Sequence, residues 1–253
     1  MRRMVVAMAA GWVSIPIALA GTNVGAAAIS HGVFHPSAAQ GGLALLQSSN
    51  WSGVADTGGT YTSVKGTWKV PTVVSAPGNR YASDWVGIGG FSTRDLIQAG
   101  TSSQLVNGVA QYNAWTEVLP NPEVPIPGFA VHPGDAMTVT VKKGTASKWT
   151  IVVSDATSGK TFTKHLTYAS CVCSAEWIHE APTVNGTQAI LASTTNAVFD
   201  LGFVNGATVI GSGGTVNRIQ LIGVTDATPS NLDSDHDGFQ VADGSGVPPP
   251  PSS

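Results

Sequence analysis

Two short runs combine residue types that can move protons and hold a polarised carbonyl. The first is Ala175-Glu176-Trp177-Ile178-His179-Glu180-Ala181-Pro182. Read as a strand, it puts Glu176, Ile178 and Glu180 on one face and Ala175, Trp177 and His179 on the other. Two carboxylates flanking an isoleucine suit neither a buried face nor a plain solvated one; they suit the wall of a groove. An edge strand with outward-facing acids is the plainer alternative. The second run is Asp95-Leu96-Ile97-Gln98-Ala99-Gly100, where one amide stands among apolar residues. Alone, such a Gln is most often an ordinary hydrogen-bonded residue. Together, a carboxylate can act as general base and then acid, and a side-chain amide can donate to a developing oxyanion.

The common alternatives lack their parts. No GxSxG elbow and no HExxH motif occurs. Asp56-Thr57-Gly58 spells the loop of a two-aspartate protease, but only once, and that chemistry needs two facing aspartates. The six histidines are scattered, so no metal site is expected, and nothing calls for an organic cofactor. Asp233-Ser234-Asp235-His236-Asp237-Gly238 resembles the opening of a calcium loop. Gly244 stands where its bidentate acid should be, so a solvated hairpin turn is expected. Cys171 and Cys173 cannot complete a tetrahedral metal site and lack redox spacing. A local bridge at the start of a strand is the expectation for them.

The elements that must position these residues are strands. Charged residues are only 11 % of the 253, and 30 glycines and 15 prolines punctuate a chain rich in Val, Thr, Ser and Ala. Such a mixture suits short strands and tight turns rather than long amphipathic helices. In residues 135–167, Met137, Val139 and Val141 alternate with Thr138, Thr140 and Lys142, and two turns at Gly144 and Gly159 predict a three-stranded meander. Similar runs at 61–70, 83–89, 107–119, 175–180, 197–203, 219–224 and 238–242 predict an all-β antiparallel sandwich.

At the start, Arg2 and Arg3 precede an apolar run to Ala20, with Ala18-Leu19-Ala20 as one candidate cleavage site and Gly25-Ala26-Ala27-Ala28 as a second. Residues 1–28 therefore read as an export signal, and the product as secreted and extracellular. Residues 29–48, uncharged apart from His31 and His35, read as a pro-segment or disordered spacer. The folded domain is expected over 49–244, followed by a Pro-rich extended tail at 245–253. Loss of the signal removes two arginines from a chain of formal net charge −3. No basic patch is left to argue for nucleic acid or membrane partners.

Five segments, in this order, resemble those of the glutamic peptidases (eqolisins). They are Asn50-Trp51-Ser52-Gly53; Trp85-Val86-Gly87-Ile88-Gly89; Leu96-Ile97-Gln98-Ala99-Gly100; Tyr112-Asn113-Ala114-Trp115-Thr116-Glu117 with Pro120; and Ala175-Glu176-Trp177-Ile178-His179-Glu180. The similarity spans about residues 50–240. It implies a concanavalin-like sandwich of two large sheets with a concave substrate groove. It also implies a monomeric acid endopeptidase acting on protein or peptide substrates, without cofactor. By motif position, Gln98 and Glu180, not Glu176, match the catalytic pair, and Trp51, Trp85 and Glu117 match residues lining the site. Gly89 stands where better-known fungal members carry an aspartate, which implies a less acidic pH optimum. Pro-segments of the family are typically basic; here only His31 and His35 can gain charge, and protonation of the pair is expected to loosen the segment.

Two rivals share the export signal and the sandwich. A glycosidase would need paired carboxylates, but Glu176 and Glu180 lie about 13 Å apart along a strand, beyond the roughly 5–9.5 Å of working pairs. Glu117 with Glu180 across strands is the remaining pairing. A carbohydrate-binding module would use exposed Trp residues, yet gives no reason for Gln98 or Glu180.

Overall fold

The computed structural model describes residues 27–37, 45–209 and 213–253. The expected export signal lies outside the described residues, apart from its last two. Among the described residues there are nineteen strands and no helix. β1 (Ile29–Ser30) and β2 (Leu46–Ser48) precede β3 (Trp51–Thr57), β4 (Ser63–Lys69), β5 (Arg80–Gly89), β6 (Leu96–Val106) and β7 (Val109–Val118). After β8 (Val124–Pro125) come β9 (Ala136–Lys143), β10 (Lys148–Asp155), β11 (Lys160–Thr167) and β12 (Ser174–Glu180). The short β13 (Thr183–Val184) and β14 (Thr187–Gln188) lead to β15 (Ala197–Val204), β16 (Ala207–Thr208), β17 (Thr215–Leu221), β18 (Ala227–Pro229) and β19 (Phe239–Asp243).

The predicted meander is β9-β10-β11, antiparallel throughout, with Met137, Val139, Val141, Trp149, Ile151 and Val153 buried as alternation requires. Most of the other strands join it in one continuous, curled sheet, in which β3, β12, β5, β6 and β7 are successive neighbours. β1, β13 and β14 make a small second sheet. The large sheet folds back so that β4, β9 and β10 pack over β5 and β6, giving the two layers of a sandwich.

The space between the layers holds the main core. Trp68 crosses it to donate its indole N–H to Thr101 at 2.9 Å, and Trp177 donates to the carbonyl of Lys65 at 2.8 Å. Burying side chains of this size stabilises the fold by roughly 1.5–3 kcal/mol apiece. Gly66 is required at the closest approach, since a Cβ there would lie 2.7 Å from Val86 and 2.8 Å from Trp177.

Cys171 and Cys173 form the expected local disulfide just before β12, with Val172 between them in the left-handed region (φ 50°). The acidic turn is only partly the solvated hairpin expected. Ser234, Asp235 and His236 are exposed, but Asp233 and Asp237 are buried and approach Asp200. Burial, with the charges of Asp235, Asp200 and Asp233, pushes Asp237 up to about 6. The tail carries no strand; the carbonyl of Pro249 accepts from Gln240 at 2.6 Å.

Candidate active site

Register brings the candidate residues together. Across β12 and β5, Glu180 is opposite Ser83 and Ile178 is opposite Trp85. Across β5 and β6, Trp85 is opposite Gly100 and Gly87 is opposite Gln98, and across β6 and β7 Gln98 is opposite Glu117. On the other side of β12, Glu180 is opposite Trp51 of β3. Directly paired residues share a face, so Trp51, Trp85, Gln98, Glu117 and Glu180 all project from the side of the sheet away from the main core. Trp177 and His179 alternate to the opposite side, as the period of two requires. Glycine makes the crowding tolerable: a Cβ on Gly100 would collide with the carbonyl of Asp84 and the Cβ of Trp85.

Five aromatic and aliphatic side chains floor this face: Trp51, Trp85, Trp115, Leu96 and Ile178 are all fully buried. Trp51 and Trp85 meet edge to face at 5.2 Å. Both also carry polar duties. Trp85 Nε1 donates to Glu180 Oε2 at 2.8 Å, and Trp51 Nε1 donates to the carbonyl of Gly32 at 3.0 Å.

The groove is occupied by the chain's own residues 28–35. Ala28 and Asn185 exchange hydrogen bonds at 2.9 and 3.0 Å, and Glu123 N donates to the carbonyl of Ile29 at 3.0 Å. Further along, Asn50 Nδ2 donates to the carbonyl of Val33 at 2.9 Å, and Phe34 N donates to the carbonyl of Gly90 at 2.9 Å. At the centre, Gln98 Nε2 donates to the carbonyl oxygen of His31 at 2.9 Å and to Glu117 Oε2 at 3.0 Å. Gly32 N donates to Glu180 Oε1 at 3.0 Å. Gln98 and Glu180, 82 positions apart in sequence by their numbers, thus grip the two ends of one peptide group.

His31 fills a slot beside that peptide group. Its ring stacks on Trp115 (centroids 3.8 Å, planes 7° apart), with Nε2 2.8 Å from Glu123 and Nδ1 3.2 Å from Glu180. Burial disfavours the charged ring, but the hydrogen bonds to Glu123 and Glu180, with the charges of Glu180 and Glu117, override it and raise the imidazole to about 10. The ring is therefore a buried cation with carboxylate partners. Its charge ties the segment down, the reverse of the loosening expected from the sequence. Burial also lifts Glu117 to about 7, against the pull of His31 and hydrogen bonds from Ser30 and from the His31 amide.

The other candidate acid behaves differently. Glu176 is fully buried, and burial, with the charges of Asp95 and Asp56, raises it well above the usual carboxylate range. Burial favours its neutral form, although the register sets it in the same cross-strand row as Gln98. Behind Glu180, His179 and Asp84 form a buried pair at 2.8 Å, to which the sequence reading assigned no part. Glu123, Asn50 and Trp115 also belong to the site. Asn50 and Trp115 fall within the family-like segments 50–53 and 112–117, whereas Glu123 sits in a loop with no periodic signal. Gly89 has a structural reason: φ is 91°, and a Cβ would clash with the carbonyl of Asp95.

Comparison with known proteins bears on the family and the fold. The chain is 31 % identical over 157 residues to Aspergillopepsin-2 of Aspergillus niger, an alignment covering 53 % of this chain and 56 % of that protein. It thus spans little more than half the length of that relative. The fold matches crystal structures of scytalido-glutamic peptidase with a transition state analog inhibitor (TM-score 0.66, 21 % identity, 77 % of this chain and 98 % of that one). It also matches SCP-B, an eqolisin in complex with the tripeptide Ala-Ile-His (TM-score 0.60, 21 % identity, the same coverages), and aspergilloglutamic peptidase of Aspergillus niger (TM-score 0.53, 23 % identity, 64 % and 98 %). The model of the Peptidase A4 family matches residues 49–237, which include every groove residue named above except those of the occupying segment. The chain belongs to the Peptidase A4 family.

Proposed function

We propose that this protein is a secreted acid endopeptidase that hydrolyses peptide bonds with Glu180 and Gln98 as its catalytic pair. One observation carries the reading: the two side chains hydrogen-bond to the carbonyl oxygen and the nitrogen of a single peptide group lying in the groove.

In the reaction, ionised Glu180 takes a proton from a water as that water attacks the scissile carbonyl carbon. The Gln98 amide donates to the oxygen on which negative charge develops. Glu180 then returns the proton to the departing nitrogen, the atom it already faces at 3.0 Å. Glu117 accepts the second Gln98 N–H and so keeps the amide nitrogen, not its oxygen, toward the substrate. Trp51 and Trp85 exclude water and hold the polar groups in place. A water-excluded groove strengthens each of these interactions relative to bulk solvent.

Protein or peptide chains are the substrates that fit an eight-residue groove lined by backbone partners, and neighbours of the same fold crystallised with a peptide based transition state analog and with a tripeptide support that class. Acid digestion of casein, run beside a polysaccharide pull-down, tests the reading against its rivals. Casein cleavage without polysaccharide retention is the expected result; retention without cleavage would replace the peptidase with a carbohydrate-binding module. With Gly89 in place of an aspartate, kcat/KM is expected to peak above pH 3, and a maximum below pH 3 would remove that assignment.

A further inference from the structure

We infer that the slot formed by Trp115 and Glu123 is the subsite for the residue on the acyl side of the scissile bond, that it selects histidine, and that His31–Gly32 is the enzyme's own built-in cleavage site. The inference rests on the proposed catalytic pair and adds to it a substrate preference and a processing point.

The pose is that of a substrate. Hydrogen bonds run along the backbone of residues 28–35 on both sides of the catalytic pair, as when an extended peptide is added to a sheet. Within that stretch, only one peptide bond has its carbonyl on Gln98 and its nitrogen on Glu180, and it joins His31 to Gly32. Hydrolysis there attaches the water oxygen to the His31 carbonyl carbon and breaks the bond to the Gly32 nitrogen. His31 leaves as a new carboxyl terminus, and Gly32, protonated by Glu180, becomes a new amino terminus.

The slot is built for an aromatic cation. A flat ring fits against Trp115 at stacking distance, and a positive one gains from its π face. Glu123 receives the far nitrogen at 2.8 Å, with its side chain only 6 % exposed. A Phe would stack but leave Glu123 buried without its partner; a Lys would reach Glu123 but lose the planar contact.

Titration argues against release of the segment by acid alone. The ionisable groups around His31 are Glu117, Glu123 and Glu180. His31 has a raised value in the occupied groove, so its contribution to docking is lost as pH rises toward about 10. It is complete below the ordinary imidazole value for as long as the carboxylates facing the ring stay ionised. Acid conditions that favour the chemistry also seat this bond, so the segment leaves by being cut.

The test has two arms. In the first, the full chain is held at neutral pH, shifted to pH 4, and followed by intact mass and N-terminal sequencing. A fragment beginning at Gly32 is expected from the wild type and none from Glu180→Gln. Maturation elsewhere with the 31–32 bond intact overturns the inference. In the second arm, mature enzyme meets two peptides differing only in His or Phe before the scissile bond. Wild type should favour His about tenfold or more at pH 5, and Glu123→Gln should erase most of that margin; a margin unchanged in a folded Glu123→Gln enzyme overturns the assignment of the slot. The wild-type comparison needs no variant to fold. Casein digestion with no His preference sinks this inference and spares the peptidase; loss of casein digestion sinks both.

Discussion

Replacing Gln98 by Ala deletes one side chain that meets two partners, so the consequences divide cleanly between chemistry and stability. The donated bond to the groove carbonyl, 2.9 Å long here, is the one that must strengthen as the oxygen becomes negative. Losing a single preorganised donor of this kind costs about 2.7–4 kcal/mol in the transition state, or about a hundred- to a thousandfold in kcat. The bond to Glu117 is also lost, but Glu117 Oε2 keeps the backbone N–H of His31 in the unprocessed chain, and Oε1 keeps Ser30. The stability cost is therefore that of one partly compensated buried acceptor, about 1–3 kcal/mol, which for a domain of this size lowers Tm by roughly 2–10 °C. Initial rates on an internally quenched peptide, with Tm from calorimetry, give both numbers. The expected signature is a large fall in kcat with KM changed by less than about fivefold. A folded variant retaining more than a tenth of wild-type kcat would refute the role assigned to the amide.

Three further perturbations follow from the geometry. Gly100→Ala drives a methyl into Asp84 and Trp85 and should destabilise the protein by about 1–3 kcal/mol, seen as a lower denaturation midpoint; an unchanged midpoint contradicts the packing described. Glu176→Gln mimics the neutral acid: because Glu176 is raised when folded, its burial is tolerated below the ordinary carboxylate value and costs stability as pH rises. The variant should match wild type in activity and in stability at pH 4, and exceed it in stability at pH 8. Asp84→Asn strips a buried histidine of its counter-charge, for a loss of about 3–5 kcal/mol. Burial opposes the charge on His179, but Asp84 outweighs it, so the loss should be full below about pH 6.5 and shrink as pH climbs. Urea titrations at pH 5 and pH 9 check the sign.

Strands that present one face to solvent announced themselves, and those around the groove mostly did not. β9 and β10 alternate apolar and polar residues because one side packs and the other is less buried. β3, with its Trp-Ser-Gly-Val-Ala-Asp-Thr, is buried on both sides, between the core and the groove contents, and shows no period. The same holds for β6, whose ten consecutive buried residues carry no alternation. In β12 the arrangement Glu176, Ile178, Glu180 did mark a groove wall, yet sequence pattern could not tell the two acids apart. Their environments do: Glu176 has no charged partner to stabilise ionisation, while Glu180 receives N–H groups from Trp85 and Gly32. The convergence of Gln98 on Glu180 came from motif order, since it depends on cross-strand register, which no local spacing encodes. Glu123 and the placement of residues 28–35 were invisible for the same reason: their meaning lies in contacts across more than eighty positions.

The most direct trial is the Glu180→Gln substitution, which keeps the side-chain shape while removing the reversible acceptance of a proton proposed for this carboxylate. With circular dichroism confirming the fold, kcat/KM on a peptide substrate at pH 4 should drop by about a thousandfold, within the range for removing a general base and acid. A folded Glu180→Gln enzyme that keeps even a tenth of the wild-type rate would mean that the proton moves elsewhere and that the pair at the centre of the groove is not the catalytic machinery.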